Sequence, residues 1–443
     1  MTDIPSARWA QFSRMRDTAS EIFASALKNA SIANAFARNV QCDRRVLRIG
    51  DDLHELDSYR RVFVVSMGKA GHTMAAALET QVGSGLEGIV ACSVESAVQV
   101  HGFRYFQGGH PIPTAESMAA ANAILHSLGS LDAACLVIFM VSGGGSSIVE
   151  KPIDAEITLS DLAASYRELV HSGAPIAEIN AIRKHLSAVK GGRLAQAAYP
   201  AQQVSILVSD VPDHSPDALA SGPTMPDSTS IFDCGRIAAT YNLLERFPKS
   251  VADLFHHRLL EETAKSDDPA FVRARWWTVL SNKLAIEEAA AAATRAGFAV
   301  EIDNSCDDWP YQKASEYLVN RLQDLRRRVS RVCLLSGGEV TVAVRNGGVG
   351  GRNQQFALAC ADAIAGKDIT ILSAGTDGID GNSPAAGAIV DGSTLARASS
   401  LGIDLHRAIA EFNAYPLFNA LGDAQVTGPT GNNLRDLRIL LAY

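Results

Sequence analysis

Apolar residues along this chain gather in short β-branched runs separated by longer amphipathic stretches, and that alternation predicts an α/β fold. Residues 61–67 (RVFVVSM), 88–94 (GIVACSV) and 134–141 (ACLVIFMV) carry little polar alternation, which is the pattern of strands buried on both faces. Helical stretches at 71–80 and 115–128 lie between them, and a further helix is predicted over 7–40. Strand and helix alternating in this way make βαβ units and a parallel sheet. Beyond Lys151, Ser160 can cap a helix that starts at Asp161 and closes at Gly173, and Pro175 can open the next. That next helix carries Arg183, Lys184, His185 and Lys190 ahead of Gly191-Gly192, and strand 203–208 leads into a polar loop over 209–224.

A polar stretch ending in proline, 264–269, predicts a division into domains 1–268 and 269–443. The second apolar pattern gives strand 277–280, helix 283–295 closed by Gly297, strand 298–302, helix 311–329, strands 331–335 and 340–344, helix 354–364 and strand 369–373. The length of 443 residues suits two domains.

Composition narrows the class. With 47% hydrophobic and 20% charged residues the chain reads as a globular enzyme rather than a disordered one. A formal charge of −8 argues against a nucleic-acid face. No apolar run approaches the roughly 18 residues of a membrane span, and the first residues lack the apolar core of a secretory signal. Seven cysteines, an odd number with no C-x-x-C pair, read as reduced thiols of a cytoplasmic protein.

The candidate chemistry sits in polar, glycine-rich loops that follow the apolar runs. In open α/β sheets ligands bind beyond the carboxyl ends of strands, where loops and helix starts present N–H groups. Lys69 stands between glycines in SMGKAG (66–71); it is a point charge suited to phosphate, although the spacing is not that of a Walker A loop. The run Ser142, Gly143, Gly144, Gly145, Ser146 and Ser147 lets backbone amides converge on an anion, phosphate or carboxylate. Asp210 and Asp213 follow strand 203–208, where a carboxylate suits magnesium or a general base. In the second half, Glu339 follows SGG, Arg352 and Asn353 open a helix after a glycine cluster, and Asp377 and Asp380 lie between glycines. An arginine at a helix start can bridge phosphate oxygens with its planar fork. The two aspartates suit Mg²⁺ or substrate hydroxyls.

Taken in order, SMGKAG (66–71), GGHPIPTAES (108–117), SGGGSS (142–147), IRKHLSAVKGGRLA (182–195), SDVPDHSPDALASGPT (209–224), SGGEVTV (336–342), GGRNQQFALA (350–359), GTDGIDGNSPAAGA (375–388) and TGPTGNNLRDL (427–437) resemble the glycerate 2-kinase family, whose C-terminal part is the MOFRL domain. The resemblance covers roughly residues 15 to 440. It implies a Rossmann-like parallel-sheet N-terminal domain, a smaller α/β C-terminal domain, and an active site in the cleft between them. It also implies transfer of phosphate from ATP, with Mg²⁺, to D-glycerate, giving 2-phosphoglycerate. The family's catalytic lysine and arginine match Lys69 and Arg352. Asn432 and Ser383 depart from threonines common in the family, which bears on fine substrate contacts.

On this reading Lys69 and Arg352 neutralise charge on the transferred phosphoryl group. Asp210 is the first choice for the acceptor of the hydroxyl proton, and Asp213 and Asp377 are the candidates for magnesium. The substrate carboxylate rests on the SGGGSS loop or on a basic residue of 182–193, such as Arg183, Lys184 or Arg193. The expected partners are ATP and a small hydroxy acid, and the sequence leaves a homo-oligomer open. Two rivals remain: an NAD(P)H-dependent hydroxypyruvate reductase, for which no G-x-G-x-x-G follows a strand, and a non-catalytic sugar-phosphate or nucleotide sensor.

Overall fold

The computed structural model describes residues 6–343 and 347–443; Val344, the last position of the strand expected over 340–344, lies outside them. The chain forms two compact units, one of Ile32–Val279 and one of Met1–Ser31 together with Leu280–Tyr443.

The unit Ile32–Val279 opens with a small antiparallel sheet of β1 (Val40–Asp43), β2 (Val46–Ile49) and β3 (Asp52–Glu55). Its main sheet contains β4 (Arg61–Met67), β5 (Glu87–Cys92), β6 (Phe103–Gln107), β7 (Cys135–Ser142), β8 (Gln202–Val208) and β9 (Ala274–Leu280), in the order β6-β5-β4-β7-β8-β9. The first five pair in parallel. Ranked by position in the chain, they run 3-2-1-4-5, a doubly wound order in which direction of travel reverses between β4 and β7. All eight residues of β7 are buried, so the most apolar run of the sequence becomes a central strand. Phe63, Val65, Phe139 and Val141 pack one sheet face against Ala120, Ala121, Ile124 and Leu128 of helix Ala115–Leu128. Each such large side chain contributes about 1.5–3 kcal/mol through burial.

The helix after Lys151 spans Leu159–His171 and is capped by Thr158 rather than Ser160. The Thr158 hydroxyl accepts from the Asp161 amide at 3.1 Å, and the Asp161 carboxylate accepts from the Thr158 amide at 3.2 Å. This reciprocal capping box fixes the helix start two residues earlier than a lone serine cap would.

The other unit carries a mixed sheet of β10 (Ala299–Ile302), β11 (Val332–Gly338), β12 (Ile369–Gly375), β13 (Gly387–Asp391), β14 (Ala424–Gln425) and β15 (Asp436–Ala442), in the order β10-β11-β15-β12-β13-β14. β10 and β11 are parallel, while β15 runs antiparallel between β11 and β12. The start of β15 therefore lies at the carboxyl ends of β11 and β12, with Asp436 opposite both Gly338 and Gly375. Helix Ser6–Asn29 belongs to this unit: Phe12, Ile22 and Phe23 pack with Ile286, Leu372 and Ile439.

The observed division differs from the one expected at 268/269 in two ways. The apolar strand read at 277–280 begins at Ala274 and extends the first sheet beside β8, moving the break to 279/280. The first helix joins the second unit because its apolar stripe matches that sheet. Of the expected strand at 340–344, Thr341 makes only an isolated bridge to Pro310.

Candidate active site

At the carboxyl ends of β4 and β7 two glycine-containing turns, 66–71 and 142–147, lie side by side, at the point where strand order reverses. The Lys69 amide donates to the Gly143 carbonyl at 2.8 Å, and the Ala70 amide to the buried Ser142 hydroxyl at 3.0 Å. The close approach depends on missing side chains. A Cβ on Gly143 would overlap the carboxylate of Asp210, and one on Gly144 would lie 3.0 Å from Lys69 Cγ, 3.0 Å from His110 Cδ2 and 3.4 Å from His110 Nε2. Lys69, His110 and Asp210 thus all bear on the Gly143–Gly144 turn, and Lys69 and His110 are exposed there. Burial, and then the neighbouring charge of Lys69, push the His110 imidazole below its ordinary pKa.

The serines of this loop hold it together. Ser146 shares a 2.9 Å hydrogen bond with Ser221, and the Ser147 hydroxyl donates to the Gly144 carbonyl at 3.3 Å. Gly145 packs so tightly on Ala220 that a Cβ would come within 2.8 Å of the Ala220 methyl. Loop 209–224 is therefore folded onto the SGGGSS turn.

The basic residues of 182–193 are mostly committed to the protein itself. Lys184 is buried and pairs with Asp217 at 2.9 Å and Asp227 at 3.1 Å. Lys190 is fully buried against Glu150, which also accepts from Tyr166 at 2.7 Å and Ser187 at 2.6 Å. Burial drives the Lys190 ammonium down in pKa and the Tyr166 phenol well up. Arg193 donates to the Glu261 and Glu262 carbonyls at 3.3 and 3.2 Å. Arg183 stacks over the Tyr166 ring at 5.0 Å. Asp213 and His214 are exposed on the loop.

In the other unit a second polar cluster forms at the shared end of β11, β12 and β15. Arg352 is the first residue of helix Arg352–Ile364. Its Nε donates to Asp436 at 2.6 Å, and one terminal nitrogen reaches Asp436 at 2.9 Å and Glu339 at 2.8 Å. Burial works against the charge, but hydrogen bonding to Asp436 together with the negative charges of Asp436, Glu339 and Asp380 outweighs it and holds the guanidinium above its ordinary pKa. Asp377 and Asp436 flank Gly375, whose Cβ would lie 3.0 Å and 3.6 Å from their carboxylates.

Two of the expected ligand contacts are internal instead. The Asp380 carboxylate accepts from the Asn353 and Gln354 amides at 3.0 and 2.9 Å and from the Gln354 side chain at 3.1 Å. It anchors the helix that presents Arg352, satisfying donors no intrahelical bond can reach. Burial lifts its pKa to about 6. Asn353 is buried and accepts from Ser373 at 2.7 Å, tying the same helix to β12. Asp213 and Asp377 lie in different units. Among the described residues no three His, Cys, Asp or Glu side chains are grouped to hold a metal.

Several functional-looking residues escape a reading of the sequence alone. His110 and Asp436 both stand inside motifs quoted above, but the residues they face at the candidate site, the Gly144 turn and Arg352, lie far away in the chain. Glu150 follows SGGGSS by three residues and gives no signal of being buried.

The chain matches two family models, a domain of unknown function (DUF4147) over residues 18–256 and the MOFRL family over 332–436. It is 34% identical over 387 residues to D-glycerate 2-kinase of Thermotoga maritima, covering 86% of this chain and 90% of that one. A protein of Agrobacterium vitis named putative hydroxypyruvate reductase is 36% identical over 389 residues, covering 86% and 87% of the two chains. The crystal structure of glycerate kinase from Thermotoga maritima superposes with a TM-score of 0.85 at 30% identity, covering 97% of this chain and all of that one. No helix among the described residues is long and apolar enough to cross a membrane. With motifs, fold and relatives in agreement, the chain belongs to the glycerate 2-kinase family.

Proposed function

We propose that the protein transfers the γ-phosphoryl group of ATP, bound with Mg²⁺, to the 2-hydroxyl of D-glycerate, forming 2-phosphoglycerate. The observation that carries this reading is the meeting of Lys69, the Gly143–Gly144 turn and Asp210 at the strand-order reversal, where doubly wound sheets bind ligands. Phosphoryl transfer asks a protein for alignment and charge neutralisation more than covalent chemistry. Lys69 and Arg352 supply the positive charge that stabilises the transferring group. The amides and hydroxyls of Ser142 to Ser147 hold anionic oxygens of the substrates. Asp210 receives the proton of the attacking hydroxyl. The small number of carboxylates at each cluster fits magnesium, which keeps several waters and arrives on the nucleotide phosphates; Asp377 would hold it, and it would neutralise phosphate charge.

Arg352 does this work from a fixed position, because Asp436 grips its Nε edge. Lysine at that position could not reproduce the fork. Removing either cation is expected to lower kcat on D-glycerate by about 10²–10³, the usual cost of one transition-state donor. Lys69→Ala and Arg352→Ala, assayed in a coupled ADP assay after circular dichroism shows intact folding, test this. Turnover near wild type in either variant rejects that residue's role. Asp210→Asn should lower kcat while leaving both KM values nearly unchanged. A parallel assay with hydroxypyruvate and NADH tests the activity named for the Agrobacterium relative, and turnover there without ATP-dependent phosphorylation would replace the kinase reading.

A further inference from the structure

A hydroxy-acid kinase must recognise a carboxylate as well as a hydroxyl, or it would phosphorylate any small alcohol. Most of the cationic side chains of 182–193 are spent elsewhere, and Arg183 lies over the Tyr166 ring. Lys184 is locked between Asp217 and Asp227, Lys190 is sealed against Glu150, and Arg193 holds the Glu261 and Glu262 carbonyls. Two groups at the Gly143–Gly144 turn remain uncommitted. Among the described residues, neither the Lys69 ammonium nor the His110 ring takes part in a hydrogen bond or ion pair within the protein.

The two stand together. The position a Cβ on Gly144 would take is 3.0 Å from Lys69 Cγ and 3.4 Å from His110 Nε2. Gly144 itself has φ +80°, a backbone region that disfavours any side chain. The turn is thus kept bare, with a lysine and an imidazole over it and exposed to ligand. An imidazole nitrogen carrying hydrogen donates to an anion, and this one adds direction to the less directional attraction of the lysine.

We propose that His110 is a substrate-contacting residue that donates a hydrogen bond to the carboxylate of the hydroxy acid, and so sets the enzyme's preference for acids over neutral polyols. The role rests on the kinase reading and adds to it a residue that discriminates between acceptors. Lys69 serves the phosphoryl group, Asp210 on the Gly143 side serves the hydroxyl, and His110 on the Gly144 side serves the carboxylate. A site built to bond a charged oxygen rejects analogues that lack it more strongly than an apolar pocket can.

The experiment compares His110→Ala and His110→Gln with wild type in steady-state kinetics, varying D-glycerate and ATP separately. Wild type without glycerate phosphorylation would overturn the kinase reading itself, which separates that failure from this one. Given an active wild type, His110→Ala should raise KM for D-glycerate about tenfold, the effect of one lost hydrogen bond to a charged group. KM for ATP and kcat should stay within about threefold, and His110→Gln, which keeps a donor, should recover most of the loss. With glycerol as acceptor, which has no carboxyl oxygen to receive the bond, wild type and His110→Ala should show the same kcat/KM. An unchanged KM for D-glycerate, a rise confined to KM for ATP, or a fall in kcat alone would each overturn the proposal. Should the alanine variant fold poorly, His110→Leu, which also lacks a donor, takes its place in both comparisons, and an unchanged KM for D-glycerate in that variant overturns the proposal.

Discussion

Single residues at the candidate site act by what they leave out as much as by what they supply. Gly143 has no side chain, and the Asp210 carboxylate fills the vacated space. Gly143→Ala must displace that carboxylate, and a shift of about 1 Å in a reacting group can cost about 10² in rate. The expected outcome is a fall in kcat of that order with far-ultraviolet circular dichroism unchanged; an active Gly143→Ala enzyme would mean that Asp210 plays no part in turnover. Gly235 makes the control. It lies inside helix Ile231–Thr240, and a Cβ there would meet nothing within 4 Å. Gly235→Ala should therefore stabilise the protein by about 0.5–1 kcal/mol through helix propensity, raising Tm without changing kcat. The residue types that carry charge at the site were legible in the sequence, because Lys69 and Arg352 stand beside glycines and Asp210 follows directly on an apolar strand. Their partners were not. Asp436 lies 84 positions from Arg352, and only the antiparallel insertion of β15 brings its carboxylate under the guanidinium.

At the scale of elements, the runs that became central strands were plain because they are long and apolar throughout. β7 is buried along its whole length, and β4 and β8 nearly so. The small sheet β1–β3 was hidden because its four-residue strands alternate with charged residues, a pattern too short to stand out from a loop. β15 was missed for a different reason: it is fully buried, yet it follows a polar loop rather than a helix that would mark it as part of a βαβ unit. The helix that presents Arg352 shows what a sequence motif conceals. Asp380 was read as a ligand for metal or substrate, but its carboxylate lies against the start of that helix, with Asn353 and Gln354 as donors. Burial outweighs those donors and lifts its pKa from 3.8 to about 6. A raised carboxyl pKa means that the folded state holds a proton the unfolded chain has released. Its contribution to stability is full below about pH 4 and is lost as pH rises through about 6, and a shift of two units corresponds to roughly 3 kcal/mol. Urea unfolding of wild type and Asp380→Asn at pH 4, 5 and 6 should show a steeper decline in wild type. Parallel pH dependences would mean that Asp380 does not hold a proton in the fold.

For the whole molecule, the informative mismatch concerns the first helix. Proximity in sequence assigned residues 6–29 to the domain that follows them, whereas their apolar stripe packs on the sheet of the unit Leu280–Tyr443. Sequence order could not reveal this, since an amphipathic helix shows which face it buries but not against what. Phe12 and Phe23 are fully buried in that contact, and Arg16 reinforces it through Asp391. The consequence is a stability that does not follow the linear order of the chain. Phe12→Ala or Phe23→Ala should each cost about 3–5 kcal/mol, the range for a buried aromatic cut to alanine. The loss belongs to the unit Leu280–Tyr443 although the mutated residues precede Ile32. Hydrogen exchange followed by mass spectrometry can locate it, because local opening reports the unit in which contacts were removed. Peptides from β12 and β15 should lose protection, while those from β4 and β7 keep theirs. Exchange that quickened first in β4 and β7 would mean that helix Ser6–Asn29 stabilises the parallel sheet instead, and the division at residues 31/32 and 279/280 would have to be redrawn.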